Sequence, residues 1–481
     1  MNSVVQDEIA VEDFVGDLKR KQESLLQEKI PVTVSAKKTL RLSGEIAAPP
    51  SKSYSHRAIM VAGMCTRSIT VQNPLLSEDI IATARAWWAL GARMRYIAGE
   101  NAIVVHGVER PFLNAQSLPE KIYVTESGTT LRFVLPGLAF AKGSVRVEGK
   151  QSLRTRPNTS VVEALRKLGV KVEAMSPGDT IPITVSGTGV LPTGDITIPG
   201  GLSSQVVSAF LFWMALASPA RKNTLSRIFS SNRENVSVIQ VEGELVSRPY
   251  VDITIDVLHW AGIKVESDSS RNVYRIAGDQ KFSPQSSVFT VNGDYSSAAF
   301  VLAAASIINS DVTVHGLKVD KQGDRAIVDI LKRMGSNVDD SVPGRIRVKG
   351  SSELRGLNLD CSDTPDLVPI LCVLGAFAEG TTTLTNISHL KYKETDRLKA
   401  PTEELRKLGV RIEHTSDSIT IRKSQLVANK VCARGDHRLA MSLMVAGLAG
   451  AGSEVQEAPS IRKSYPLFIR DMRALGAELS G

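Results

Sequence analysis

The most chemically loaded stretch of the chain is Lys391-Tyr392-Lys393-Glu394-Thr395-Asp396-Arg397-Leu398. Read as a helix, it puts Glu394 and Arg397 three residues apart and Lys393 and Arg397 four apart, so all three share a face. A carboxylate held among cations can carry a proton beside a bound anion, and a solvated charged face is the competing reading. Four other places join hydroxyls or cations to a helix entrance: Ser51-Lys52-Ser53 with Arg57, Gly128-Thr129-Thr130 with Arg132, Gly200 to Gln205 with Ser203 and Ser204, and Gly435-Asp436-His437-Arg438. The free N–H groups and partial positive charge of a helix start seat an anion. Taken singly, each is also an ordinary N-cap, and Arg57 could lie along its helix with its charge in water. Taken together, on helices too apolar for water, they point to a small anion as ligand.

Two phrases recur and must position these residues. The first is an amphipathic helix end, a glycine and a strand-like run; its glycines are Gly91, Gly169, Gly262, Gly335, Gly409 and Gly476. A glycine past a helix end takes the left-handed conformation that other residues enter at a cost. Alternation such as Val170-Lys171-Val172 then reads as a strand. The second phrase is a helix polar at its start and apolar on nearly every face, beginning at Ser51, Ser127, Gly201, Asp294, Asp363 and Gly435. A helix apolar all round is buried. Each unit therefore holds one buried helix, one covering helix and several strands, and six units imply two domains of three.

Composition narrows the class. The chain has 481 residues, 42% hydrophobic and 22% charged, too long for one ordinary core. No apolar run approaches the roughly 20 residues that span a bilayer. The acidic first thirty residues (Asp7, Glu8, Glu12, Asp13, Asp17) lack a secretory or transit pattern. A cytoplasmic protein without a membrane segment is the expectation. Cys65, Cys361, Cys372 and Cys432 show no metal-ligand spacing and the seven histidines no HxH or HExxH cluster, so no metal site is expected. The net charge of +8 is scattered and aromatics are 5%, which disfavours nucleic acid. Residues 1–32 belong to no unit and predict an exposed or mobile extension.

The motifs PPSKSYSHR (Pro49–Arg57), SGTTLR (Ser127–Arg132), LRTRP (Leu153–Pro157), LSSQ (Leu202–Gln205), SRPY (Ser247–Tyr250), YKETDRL (Tyr392–Leu398), GDHRLAM (Gly435–Met441) and IRKSYP (Ile461–Pro466) resemble the 5-enolpyruvylshikimate-3-phosphate synthase family of enolpyruvyl transferases. The resemblance runs from about Thr33 to the C-terminus. It implies an α/β (α+β) fold, a two-domain inside-out α/β barrel of six βαβαββ-type repeats, three per domain, with the active site between the domains. One domain would span 52–291 and the other 33–51 plus 292–481.

The resemblance also implies residue roles. Lys52, Gly128, Arg156, Gln205, Arg397, Arg438 and Lys463 would hold phosphoenolpyruvate. Lys52, Ser53, Arg57, Ser203, Ser204, Gln205, Ser247, Tyr250, Asp366, His389 and Lys393 would hold shikimate 3-phosphate, with Arg57 on the ring carboxylate and the serines on the phosphate. Asp366 and Glu394, with Lys52, would be the catalytic groups, and no cofactor or metal is implied. The implied reaction is addition and elimination. The methylene carbon is protonated while the 5-hydroxyl attacks C2, and the tetrahedral ketal then loses phosphate and a methyl proton. A monomer acting on these two metabolites is expected.

Three positions depart from the family pattern: Glu126 stands where asparagine is common, His389 likewise, and Phe133 replaces a frequent proline. Gly128 is kept where an added methyl would crowd glyphosate, so glyphosate is expected to compete with phosphoenolpyruvate. The rivals are UDP-N-acetylglucosamine enolpyruvyl transferase, which typically carries Lys-Asn where Lys52-Ser53 stand here, RNA 3′-phosphate cyclase, which shares part of the repeat, and a non-catalytic anion-binding relative.

Overall fold

Alternating apolar residues build the strands. Thr180–Thr188 buries Ile181, Ile183 and Val185, and Val236–Glu242 buries every second side chain, the period of a sheet covered on one face. The structure is a computed structural model that describes residues 12–21, 24, 29–112, 118–219, 235–350 and 353–481. Among the described residues the strands form six four-stranded sheets. Each sheet pairs two parallel strands and then two antiparallel ones. Lys121–Tyr123 runs parallel to Lys142–Glu148, which pairs antiparallel with Thr180–Thr188, itself antiparallel to Lys171–Met175.

A parallel step needs a crossover, and the apolar helices supply it. Gly128–Val134, Ser204–Met214, Val368–Phe377 and His437–Ala449 each bridge such a pair within one stretch of chain. In the other two sheets the parallel partners lie far apart in sequence, Val288–Thr290 with Ile69–Gln72 and Leu42–Ala47 with Ser310–Leu317. The chain divides into two compact units, Met1–Arg20 with Lys52–Val291, and Lys21–Ser51 with Asn292–Gly481. In the second unit the crossover helices Tyr295–Ile307, Val368–Phe377 and His437–Ala449 all touch one another. Nearly every residue of the first and last of these is buried. In the first unit, side chains join the three helices: Arg57 of Lys52–Met64 lies over Phe133 of Gly128–Val134 and donates to Ser208 of Ser204–Met214.

The covering helices end as the glycines predict. Gly91, Gly169, Gly262, Gly335, Gly409 and Gly476 all have φ between +80° and +109°. At Gly335 the N–H turns back onto the Leu331 and Lys332 carbonyls, closing the last turn in the left-handed conformation that a side chain would strain.

Two helical readings are corrected. Lys391–Leu398 is not a helix. A 3-10 turn covers Ser388–Tyr392, Lys393 is extended, and the α-helix starts only at Lys399. The Asp396 carboxylate accepts from the N–H groups of Leu398 and Lys399 at 3.0 and 3.1 Å, acting as the cap that ends the loop. The helix expected from Asp363 starts at Val368 with Pro369 in its first turn, leaving Asp366 in the preceding turn.

Part of the expectation for residues 1–32 falls on 1–11, 22–23 and 25–28, which lie outside the described residues. Residues 12–21 are helical, and they are not simply exposed: Phe14, Val15 and Leu18 are buried. Their spacing makes one apolar stripe inside a charge-dense segment. Phe14 stacks on Trp88 with ring centroids 5.7 Å apart, and Glu12 pairs with Arg85. An aromatic pair contributes ~1 kcal/mol beyond its buried area. Phe14→Ala should therefore speed amide exchange over residues 12–21 and leave exchange in the helix Lys52–Met64 unchanged. Equal acceleration in both segments would mean that the stripe is part of the unit's main core.

Candidate active site

In the first unit the side chains gather around Arg57, one turn into the helix Lys52–Met64 and 2% exposed. Its Nε donates to Thr254 Oγ1 at 2.7 Å, Nη1 to the Ser53 carbonyl at 3.0 Å, and Nη2 to the Tyr250 carbonyl at 2.8 Å and Ser208 Oγ at 3.4 Å. Cζ lies 5.3 Å from the centroid of Phe133, which gives the departure from proline at 133 a physical role. Burial pushes the guanidinium down to about 10, so it stays charged at neutral pH. Among the described residues no carboxylate pairs with it, and the cation is held by neutral dipoles alone. Such a site favours a bound anion.

Around this cation, Lys52 pairs with Asp79 at 2.5 Å. Asp79 is in the first turn of the helix Glu78–Ala89. Its carbonyl accepts from Thr130 Oγ1 at 3.3 Å, which bonds Ser127 Oγ at 2.7 Å, so Lys52 and the start of the Gly128 helix are tied together. Buried His56 joins Thr83 through Nδ1 at 2.7 Å, and Thr83 joins Thr130 at 2.7 Å. Burial first, then the charges of Lys52 and Arg57, hold this imidazole neutral, well below its ordinary range. Ser203 caps the helix Ser204–Met214, and Gln205 bridges Arg132 at 2.7 Å and Thr129 at 3.0 Å. Ser247 is 4% exposed with φ 58°, and Tyr250 lies at the start of the helix Pro249–Trp260. Glu126 accepts from Ser152 at 3.0 Å.

Gly128 is under Arg156, which is 8% exposed. A Cβ at 128 would stand 2.8 Å from Arg156 Nη1, too close for both to stay. If Arg156 holds phosphoenolpyruvate, Gly128→Ala raises the KM for that substrate by about tenfold or more, since small displacements of a binding group carry large penalties. Steady-state kinetics checks this, and an unchanged KM removes Arg156 from the binding site.

In the second unit a single arginine organises three carboxylates. Arg397, 1% exposed, donates Nη1 to Asp366 Oδ1, Nη2 to Glu394 Oε2 and Nε to Asp436 Oδ2, each at 2.7 Å. Arg438 takes the other oxygen of Asp366 at 2.7 Å. Asp436 also accepts from the Arg438 N–H at 2.8 Å, so it caps the helix His437–Ala449 and holds Arg397 at once. Burial raises the pKa of Asp366, but Arg438 and Arg397 outweigh it and hold the carboxyl far below the usual range. Burial lowers that of Arg397, and Asp436, Glu394 and Asp366 more than reverse it. Lys463 Nζ donates to the Gly435 carbonyl at 2.9 Å, beside the same helix start. His389 is 2% exposed, and among the described residues neither ring nitrogen has a hydrogen-bond partner. Burial, then Lys393, pushes it down to about 3. A neutral imidazole offers one donor and one acceptor.

The structure thus brings Lys52, Ser53, Arg57, Ser203, Ser204, Gln205, Ser247, Tyr250, Gly128 and Arg156 into one unit, and Asp366, His389, Lys393, Glu394, Arg397, Arg438 and Lys463 into the other. Sequence reasoning passed over Asp79 and Asp324, and named Asp436 only as part of a helix entrance, without a role. Asp79 and Asp436 sit in a helix first turn and a cap, where an acidic residue is commonplace, and only their contacts with Lys52 and Arg397 distinguish them. Asp324 carries no signal beyond its charge.

Residues 36–472 match the EPSP synthase (3-phosphoshikimate 1-carboxyvinyltransferase) family. The 3-phosphoshikimate 1-carboxyvinyltransferase of Methanosarcina mazei is 39% identical over 442 residues, covering 91% of this chain and 96% of that relative. That of Halobacterium salinarum is 37% identical over 449 residues, covering 92% and 98%. Among solved structures, the EPSP synthase from Acinetobacter baumannii superposes with a TM-score of 0.74 at 25% identity, covering 93% of this chain and 100% of the other. The enolpyruvyl transferase NikO from Streptomyces tendae shares the fold, with a TM-score of 0.70 at 18% identity, covering 93% and 98%.

Proposed function

Because the chain belongs to the EPSP synthase family, we propose roles for its two clusters in the reaction of that family. The enzyme transfers the 1-carboxyvinyl group of phosphoenolpyruvate to the 5-hydroxyl of shikimate 3-phosphate and releases inorganic phosphate, a step of the shikimate pathway. The relatives' names disfavour the UDP-N-acetylglucosamine transferase.

The observation that carries the assignment of roles is the Asp366–Arg397–Glu394 arrangement beside Arg438. Asp366 accepts from two arginines and is a weak base in the ground state, which supports orientation of the 5-hydroxyl rather than its full deprotonation before attack. Glu394, on the same guanidinium, is assigned the proton-carrying role: as the acid it protonates the methylene carbon, as the carboxylate it removes the methyl proton when phosphate leaves, and the proton given up by the attacking 5-hydroxyl departs with the phosphate. Arg397 and Arg438 suit a carboxylate by their fork geometry; Lys52 and Lys463 suit phosphate as point charges. Lys52 also stabilises charge developing on the departing phosphate, and Arg156, Gly128 and Gln205 complete the phosphoenolpyruvate assignment. Arg57, a buried cation that no carboxylate among the described residues pairs with, is assigned the ring carboxylate of shikimate 3-phosphate. Ser53, Ser203, Ser204, Gln205, Ser247, Tyr250, His389 and Lys393 are assigned to the rest of that substrate.

Among the described residues no helix is long and apolar enough to cross a membrane. The reading includes a monomer working in the cytoplasm and inhibited by glyphosate in competition with phosphoenolpyruvate. Phosphate release is the decisive assay. It should need both phosphoenolpyruvate and shikimate 3-phosphate and stop when either is left out. Release driven by UDP-N-acetylglucosamine in place of shikimate 3-phosphate would overturn the reading.

A further inference from the structure

Three polar side chains shut inside the first unit have no task in the reaction as described: His56, Thr83 and Thr130. The two threonines are 0% exposed and the histidine 1%. His56 Nδ1 lies 2.7 Å from Thr83 Oγ1, and Thr83 Oγ1 lies 2.7 Å from Thr130 Oγ1. Thr130 Oγ1 then donates at 2.7 Å to Ser127 Oγ, the cap of the helix Gly128–Val134. The bond to Thr83 is the only one the imidazole makes among the described residues. Apolar side chains of like volume would fill this space without the cost of dehydrating polar atoms. A buried polar chain instead fixes one arrangement of the elements it joins, because any other leaves its members unpaired.

The elements joined here are the ones that carry groups assigned to phosphoenolpyruvate. Lys52 stands one turn before His56 on the helix Lys52–Met64 and pairs with Asp79 at 2.5 Å. Asp79 stands one turn before Thr83 on the helix Glu78–Ala89. Its carbonyl lies 3.4 Å from Thr83 Oγ1 and 3.3 Å from Thr130 Oγ1. Lys52, Asp79, Thr83 and His56 thus close a ring between two helices, and Thr130 attaches the helix Gly128–Val134 to it. On that third helix Gly128 lies under Arg156, and Arg132 donates at 3.2 Å to the carbonyl of Pro157, the next residue. Arg57 has other partners: Thr254, Ser208 and the carbonyls of Ser53 and Tyr250. Thr254 Oγ1 also donates to Ser208 Oγ at 2.8 Å.

We propose that Thr83 and Thr130 are positioning residues for phosphoenolpyruvate: their hydroxyls lock three helix starts together and so hold Lys52 and the seat of Arg156 in one fixed arrangement. Thr83 acts through Asp79 and His56, and Thr130 acts through the start of the Gly128 helix. Valine at 83 has nearly the shape of threonine but leaves His56 Nδ1 and Thr130 Oγ1 without their partner. The ring then loosens, and Lys52 and Gly128 shift with the helices that carry them. Arg57 keeps all four of its partners. The penalty therefore falls on phosphoenolpyruvate and spares shikimate 3-phosphate.

The inference rests on the family reaction and the roles proposed above, and the test separates the two. Phosphate release is followed in the full chain, and KM is measured for each substrate with the other saturating. Thr83→Val should raise KM for phosphoenolpyruvate by about tenfold and that for shikimate 3-phosphate by less than about threefold. Thr83→Ser, which keeps the hydroxyl, should restore the phosphoenolpyruvate value. Thr254→Val, which takes away the acceptor of Arg57 Nε, should show the opposite pattern, with shikimate 3-phosphate the substrate affected. A general loosening of the unit would move both constants together. Equal rises in the two constants for Thr83→Val, a fall in kcat alone, or no change overturns the proposal. If Thr83→Val does not fold, Thr130→Val is held to the same pattern, and failure of both to fold assigns the hydroxyls to stability and overturns it too. A wild-type protein that releases no phosphate from the two substrates would be a failure of the reaction assignment, visible before any variant is compared.

Discussion

Glu394→Ala is expected to lower kcat by roughly 10²–10⁴ while the KM for shikimate 3-phosphate changes little. The reasoning is geometric. Glu394 is tied to Arg397 Nη2 at 2.7 Å, but Arg397 keeps Asp436 and Asp366 when Glu394 is cut back. The cation therefore stays in place, and what disappears is a carboxyl able to exchange a proton. Glu394 is also 21% exposed in its side chain, so truncation opens little buried volume. Glu394→Gln, which keeps the shape and the hydrogen bond but not the proton exchange, should be as slow as Glu394→Ala. Rapid-quench single turnovers would show whether the chemical step is the one affected. A Gln variant within about tenfold of wild type would assign Glu394 to holding Arg397 rather than to proton transfer.

The largest effect on stability is expected from Arg397→Met. The substitution fills similar space but leaves Asp436, Asp366 and Glu394, with side-chain exposures of 0%, 18% and 21%, without their shared cation. Stranding buried charges in this way costs about 3–5 kcal/mol. In wild type the carboxyls of Asp366 and Asp436 are held below their ordinary values. They contribute stability above the unfolded-state carboxylate pKa and lose it as pH falls through their folded values. In the variant the same carboxyls are pushed up, so protonating them relieves the repulsion and the loss of stability should shrink on going from about pH 7 to pH 5. Urea midpoints at the two pH values test this. A deficit that does not shrink at the lower pH would contradict the electrostatic origin. Adding Asp436→Asn to Arg397→Met should restore part of the deficit, because neighbours in one charge network are not additive.

Much of the architecture was legible because it is repeated and local. A glycine after an amphipathic helix can mean only a few things, and the same meaning at Gly91, Gly169, Gly262, Gly335, Gly409 and Gly476 removes chance. Helices apolar on every face declared their burial. The helix expected at Lys391–Leu398 failed for a local reason as well. Periodicity there was carried by charged residues, which say nothing about a buried face, and Asp396 spends its carboxylate on capping the next helix. Residues 12–21 were misjudged because three apolar positions, Phe14, Val15 and Leu18, were outweighed by the charge around them.

Sequence alone determined the repeat, the helix mouths and the identity of the cations, because backbone preference and burial act over a few residues. Tertiary structure alone decided which charge meets which. Lys52 finds Asp79, and Arg397 collects carboxylates from three separate segments. The physical reason is range: electrostatic partnership depends on distance through space and on exclusion of water, and neither quantity exists until the chain has folded.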